Sequence, residues 1–176
     1  MTVPDTFVTA RLAAERLRPE HEPEIHRMHQ DPVQMATLGG VKDEAWTAAY
    51  MKRHLEHWDQ RGFGVWLLRD RVDQAVAGRV LLRPLVVDGV DEVEVGYSFY
   101  PAWWGRGLAT EAATAGLEIA RDTLRLPSLV ALTSPTNEGS QRVLTKIGMR
   151  FDREVAEDGL MLMLFRITFA ERHAGT

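Results

Sequence analysis

The stretch Trp104-Gly105-Arg106-Gly107-Leu108-Ala109 carries the most specific chemistry in the sequence. Two glycines flank an arginine, and helix-forming residues follow at once. Glycine accepts backbone angles that turn successive N–H groups toward one point, which makes a concave anion site. The first turn of a helix adds unpaired N–H donors and the positive end of its dipole. A pyrophosphate suits such a cradle, and Arg106 adds charge beside it. A strand-to-helix corner that binds nothing has the same local sequence. Two rival nucleotide motifs fail here. Thr110 stands where a dinucleotide fingerprint needs its third glycine, and no Gly-Lys-Ser/Thr follows as in a P-loop.

A second group of residues could move protons. Glu92 and Glu94 lie two apart in an alternating run, so they share a strand face with Gly96 and Ser98; Val93, Val95, Tyr97 and Phe99 share the other. A carboxylate beside an apolar slot can take a proton from an amine or orient it. A solvent-facing glutamate has the same pattern. Asn137 and Ser140 open a short helix, where both types serve as caps and a serine hydroxyl can also donate a proton. There is no cysteine, which excludes thiolate nucleophiles and cysteine-based metal sites. Five of the six histidines (21, 26, 29, 54 and 57) fall in two clusters that match no metal-ligand motif and read as surface or half-buried helical residues, one of which could line a groove.

The elements that must position these groups are legible from periodicity. Residues 7–18 read as a strand, 20–28 as a short helix stopped by Asp31-Pro32, and 43–60 as a helix capped by Asp43 and closed by Gly62. Strands follow at 64–69, 75–84 and 92–100, with a turn at Asp88-Gly89. A long alanine-rich helix spans 108–124, and its small face suits close packing on a sheet. A strand at 129–133, a helix at 140–147 ended by Gly148, and a hairpin (149–155, 160–170) around Asp158-Gly159 complete the chain. This order is a mixed α+β domain and not a regular Rossmann alternation.

The 176 residues suit a single domain, 1–176. The formal charge of −4 shows no basic stripe, which argues against a general nucleic-acid binder. The first ten residues lack a basic segment and a long apolar one, so they do not read as a secretion signal, and no run reaches membrane-span length. The expected location is cytoplasmic.

Four stretches together resemble the GNAT superfamily of N-acetyltransferases, and within it the RimJ/RimL-like branch. They are FVTARLAAERLRP near the start, QDPVQMATLGG (30–40), EVGYSFYPAWWGRGLATEA (94–112) and TNEGSQRVLTKIGMRF (136–151). Trp104 replaces the glutamine or arginine usual at the head of the superfamily's acceptor loop, a substitution typical of this branch. The resemblance implies an acyl-CoA N-acyltransferase fold. Its sheet would have seven mostly antiparallel strands, splayed between the fourth and fifth, with four helices. It implies acetyl-CoA as acyl donor and no metal. The main-chain groups of Gly105, Arg106, Gly107, Leu108 and Ala109, headed by Trp104, would hold the pyrophosphate. The strand near Tyr97, Ser98 and Phe99 would hold the pantetheine arm, with an N–H near Tyr97 polarising the thioester carbonyl. Asn137 would bind the arm or cap its helix, and Arg142 would reach the adenosine phosphate. Glu94 would be the base or the amine-orienting carboxylate, with Glu92 able to share that role. The acid tyrosine usual seven residues after the asparagine is Leu144 here, which raises Ser140 as the proton donor to sulfur.

The acceptor is outlined only. Residues 30–43 with the next helix turn form one expected wall and 156–159 another. Convergence of Asp31, Asp43, Glu44, Glu157 and Asp158 would favour a cationic amine or basic peptide. Trp46, Tyr50, Trp58 and Trp103 read as core or wall residues. A primary amine, on a small molecule or a peptide N-terminus, is the expected acceptor. A non-catalytic acyl-CoA-binding or sensing module and a purely structural use of the fold stay open. Related enzymes often pair, so a homodimer is the expected assembly.

Overall fold

A computed structural model describes residues 2–157 and 159–170. Among these, eight strands form one sheet in the order β1-β2-β3-β4-β5-β6-β8-β7. They are β1 (Thr6–Val8), β2 (Leu12–Arg16), β3 (Val65–Asp70), β4 (Val76–Val87), β5 (Val90–Phe99), β6 (Ser128–Thr133), β7 (Arg150–Glu157) and β8 (Leu160–Thr168). The helices are α1 (Glu22–Gln30), α2 (Glu44–Arg61), α3 (Leu108–Glu118) and α4 (Glu138–Lys146).

The expected count of seven strands is corrected to eight. Residues 7–18 hold two short strands because Thr9 reverses the chain: its N–H bonds to Leu12 O at 2.9 Å and its hydroxyl accepts from Leu12 N at 3.1 Å. The long helix is also shorter than its periodicity suggested. After Glu118 it widens into a π turn, Ile119–Thr123. The other boundaries follow local signals. Asp43 accepts from Trp46 N at 2.8 Å to start α2, and Gly62 ends it at a positive φ of 72°. Asp88 and Gly89 both take positive φ, the conformation a two-residue hairpin between β4 and β5 requires.

The sheet has two differently used faces. Val80, Leu82, Val95 and Tyr97 lie on the face that carries α3 and α4; a Cβ on Gly116 of α3 would meet the Val95 and Val80 side chains at 3.2 and 3.7 Å. Arg79, Arg83, Glu94 and Ser98 lie on the opposite face, toward α1 and α2. All strand pairs are antiparallel except β5 with β6, which are parallel and share one bridge, Glu94 with Val130. The two strands part beyond that rung, the splay expected between the fourth and fifth strands of the seven-strand count.

The close seat of α3 depends on its small face: Ala112, Ala113 and Ala120 are fully buried. Gly116→Ala is expected to leave the melting temperature within a degree or two, because helix propensity offsets the tight Val95 contact. Gly116→Leu overpacks the seam and is expected to lower it by roughly 3–10 °C. Thermal denaturation of the two variants beside the parent checks this, and equal melting temperatures for all three would contradict the packing account.

Candidate active site

The parting of β5 from β6 leaves main-chain groups open. Tyr100 N–H bonds to Ala77 O, so even-numbered residues of β5 direct their main-chain groups to β4 and odd-numbered ones to β6. Beyond the Glu94–Val130 rung, the N–H and C=O of Tyr97 and the N–H of Phe99 therefore face the gap without a strand partner. Phe99 O is taken by Trp104 Nε1 at 2.8 Å. Trp104 thus ties the end of the strand to the glycine turn.

That turn is built as a cradle. Gly105 and Gly107 take φ of 73° and 76°, and a Cβ on Gly105 would stand in open space. Gly107 opens α3 without a side-chain cap. The N–H groups from Gly105 through Thr110 have no hydrogen-bond acceptor among the described residues. This concentration of donors at a helix start fits an anion such as a pyrophosphate. Arg106 lies beside it, 5.0 Å over the Trp103 ring. Leu108 and Ala109 turn their side chains inward, Leu108 into the core.

Glu111 holds the turn in place. Its carboxylate accepts from Thr9 Oγ1 at 2.5 Å, Arg11 N at 2.7 Å and Arg11 Nε at 2.8 Å, while Arg11 Nη1 donates to Arg106 O at 2.7 Å. Burial raises its pKa, but the bonds from Thr9 and Arg11 outweigh that and leave it below the ordinary value. The β1–β2 turn is thereby stapled to the glycine turn.

A cavity of about 280 Å³ runs through the gap and opens to both faces of the sheet. Tyr97, Ser140 and Leu144 line it on the α4 side; Tyr50, His54, Arg79, Arg83 and Glu94 line it on the α2 side. A larger open groove, about 510 Å³, runs between β1 and α3 and contains none of the proposed catalytic or cofactor residues.

On the α4 side, Tyr97 Oη lies 3.0 Å from Ser140 Oγ and 3.2 Å from Ser140 O. Burial pushes the Tyr97 phenol up to about 12, so it keeps its proton at neutral pH. Asn137 caps α4, its Oδ1 accepting from Ser140 N at 3.0 Å, and its Nδ2 donates to Thr37 Oγ1 at 3.1 Å. Arg142 is exposed on α4 and pairs with Glu138 at 3.3 Å.

On the α2 side, Glu94 is buried and its Oε2 accepts from Arg83 Nε at 2.5 Å. Glu92 does not reach the cavity; it pairs with Arg166 at 2.7 Å. Ser98 Oγ accepts from Gln34 Nε2 at 2.7 Å. Of the five acids whose convergence would favour a cationic acceptor, Glu157 alone lines the cavity among the described residues. Asp31 and Asp43 cap local turns, Glu44 is exposed, and Asp158 lies outside the described residues. The condition for that preference is not met among the described residues. Trp46 and Tyr50 are wall residues, stacked at 5.7 Å, and Trp58 is core.

The histidine expectation is corrected as well: His21, His29 and His54 are buried. His29 Nε2 accepts from Arg79 Nη1 at 2.7 Å, which fixes its tautomer, because a guanidinium only donates; its Nδ1–H then donates to Thr47 Oγ1 at 2.9 Å. Arg79 and Arg83 were not singled out from sequence, whereas Tyr50 was read as a core or wall residue and His54 as one of the histidines that could line a groove. The signal was present. Residues 79, 81 and 83 alternate onto the face of Glu94, and 50 and 54 are one helical turn apart.

No group of three or more His, Asp or Glu among the described residues is placed to hold a metal ion. No helix there is long and apolar enough to cross a membrane.

The sheet thus has a gap, a glycine cradle beyond one end of it and a polar cavity through it. The profile described as "Acetyltransferase (GNAT) domain" matches residues 11–150. This chain belongs to the GNAT acetyltransferase family. A Bacillus subtilis (strain 168) relative, uncharacterized protein YkkB, is 31% identical over 133 residues, 73% of this chain and 74% of its own. An acetyltransferase from Agrobacterium tumefaciens str. C58 superposes with a TM-score of 0.83 at 26% identity, covering 96% of each chain. RimL, a ribosomal L7/L12 alpha-N-protein acetyltransferase solved in complex with coenzyme A, shares the fold with a TM-score of 0.74 at 12% identity, covering 96% of this chain and 98% of its own.

Burial holds both His29 and His54 at about 3. In the unfolded chain each titrates near 6.5. Stability is therefore full above pH 6.5 and falls as pH drops toward 3, because the unfolded state takes up protons the folded state refuses. Each histidine contributes a slope of about 1.4 kcal/mol per pH unit well below 6.5. His54→Gln is expected to flatten the slope between pH 6 and 4 by about one proton. Urea unfolding across that range measures it, and an unchanged slope would refute the assignment.

Proposed function

We propose that this chain transfers an acetyl group from acetyl-CoA to a primary amine, as RimJ/RimL-like acetyltransferases do. The observation that carries the reading is the cavity through the β5–β6 gap. It reaches Tyr97, whose main-chain groups are open, with a buried carboxylate across the sheet, and Trp104 Nε1 on Phe99 O joins the end of that strand to the glycine cradle. RimL, which shares the fold, was solved with coenzyme A bound.

Bound acetyl-CoA would supply an electrophilic thioester carbonyl and a thiolate leaving group. The N–H groups of Gly105 through Ala109, with Arg106, would hold its pyrophosphate. Tyr97 to Phe99 would pair with its pantetheine arm, and Tyr97 N–H is the donor for the thioester oxygen. Asn137 fixes the start of α4 beside the arm, and Arg142 is the candidate for the adenosine phosphate. On the other face, Arg83 occupies Glu94 Oε2 and leaves Oε1 for the acceptor amine. Glu94 thus orients the amine and accepts its proton directly or through water. A nitrogen–carbon bond forms as the carbon–sulfur bond breaks; the amine gives up a proton and the sulfur gains one. Ser140 is the donor to sulfur. When the Tyr97 phenol gives its one proton to Ser140 Oγ instead of Ser140 O, the serine proton is free to point into the cavity. Glu92, tied to Arg166, has no part in this scheme.

Millimolar acetyl-CoA is expected to raise the melting temperature, because it binds the folded state alone. The absence of any shift would overturn the donor assignment. In a thiol-release assay over amines and N-terminal peptides, Glu94→Gln is expected to lower kcat at least about tenfold with little change in acetyl-CoA affinity. Ser140→Ala should lower kcat by a similar factor, and Tyr97→Phe in the same direction by less. Equal kcat for the parent and Glu94→Gln across pH would rule Glu94 out.

A further inference from the structure

The α2 side of the cavity holds a cation without a counter-ion. Arg79 is 7% exposed and lines the cavity. Its Nη1 donates to His29 Nε2, and its guanidinium lies 4.8 Å from the centre of the Tyr50 ring. No carboxylate among the described residues forms a salt bridge with it. Arg83, four residues along the same strand face, is already matched by Glu94. A buried guanidinium held by an imidazole and a ring face is costly, because neither neutralises its charge. Around it are polar atoms with no partner among the described residues: Tyr50 Oη and both ring nitrogens of His54, a residue 3% exposed. These groups form a polar pocket in which Arg79 has no paired carboxylate among the described residues; Glu157, the other acid that lines the cavity, acts on Arg83.

We infer that the acetyl acceptor is a small amine that carries a carboxylate, an α-amino acid or close analogue, whose carboxylate is bound by Arg79 while its amine faces Glu94. This rests on the acetyl-transfer reading and names its substrate class. Spacing along the strand permits it. The rung of Leu81 and Gly96 separates the Arg79 rung from the Arg83–Glu94 rung, so the two charged sites flank the point where β6 has parted. Each is about 7 Å along the strand from that middle rung, within the span of their side chains. Charge selects a carboxylate over a phosphate monoester: one guanidinium balances one negative charge, whereas a phosphate brings nearly two. Planar fork geometry also matches carboxylate to arginine. Size selects a small molecule. About 280 Å³ is shared between the two faces of the sheet, at the lower end for small-molecule sites. A basic peptide would meet Arg79 and Arg83 beside Glu94 and Glu157, with no acid in excess.

The test is thiol release from acetyl-CoA with the twenty standard amino acids, each beside its methyl ester and its decarboxylated amine, plus C-terminally amidated basic peptides. For the best amino acid, esterification or decarboxylation is expected to lower kcat/KM at least about tenfold. Arg79→Met should remove that preference, slowing the acid by a similar factor while the ester stays within about twofold of its parent rate. Arg79→Lys should restore part of it. Esters, simple amines or amidated peptides that react as fast as the acids in the parent enzyme would overturn the proposal and leave acetyl transfer standing. So would an Arg79→Met loss that is equal for acid and ester. If no amine or peptide releases thiol, the acetyl-transfer reading fails and this one fails with it. Should Arg79→Met not fold, the parent enzyme's acid-to-ester ratio decides alone.

Discussion

The structure turns on one broken pairing. A buried main-chain N–H or C=O must find a partner, and nearly every strand residue here finds one in its neighbour. Past the Glu94–Val130 rung, β5 and β6 no longer meet. The main-chain groups of Tyr97 and Phe99 that would have completed the ladder face a gap instead. A ligand with an amide-bearing arm can complete it. The gap also opens the sheet to both faces, so the donor and the acceptor can approach one point from opposite sides. Every other part of the site is placed with respect to this parting.

On the donor side, the arrangement is made rigid by contacts far apart in sequence. Trp104 Nε1 holds the end of β5, and Glu111 gathers Thr9 and Arg11 from the first hairpin under the glycine turn. Gly116 and its alanine neighbours let α3 lie close on Val80 and Val95, which sets the height of its N-terminus. Asn137 does the same for α4 and at once ties it to the 34–37 turn through Thr37. The loop that supplies main-chain donors has few side-chain bonds of its own, so its shape is imposed by these neighbours.

The acceptor side uses a different device. One arginine, Arg79, two histidines and a tyrosine are taken out of water, while the half-buried Arg83 is matched to the buried Glu94. The histidines stay neutral because burial disfavours their charged form. His29 spends both nitrogens holding Arg79 to Thr47, and His54 spends neither.

Sequence by itself determined the local features and their order. Glycines 62, 105 and 107, the Asp43 and Asn137 caps and the Asp88-Gly89 turn are each set by short-range backbone geometry. Alternation put Glu94 and Tyr97 on opposite faces of one strand. The family resemblance rested on these same stretches. Only the tertiary structure decided what meets across the sheet. The first hairpin is held against the glycine turn because Thr9 and Arg11 bind Glu111 about a hundred residues away. Glu94 and Glu92 are indistinguishable in the alternating run, yet one faces Arg83 in the cavity and the other Arg166 outside it. The neutral histidines and the unmatched Arg79 are facts of burial, and burial depends on which helix lands on which face. Periodicity gives a side chain its direction; the charge it meets there is set by strands and helices distant in the chain.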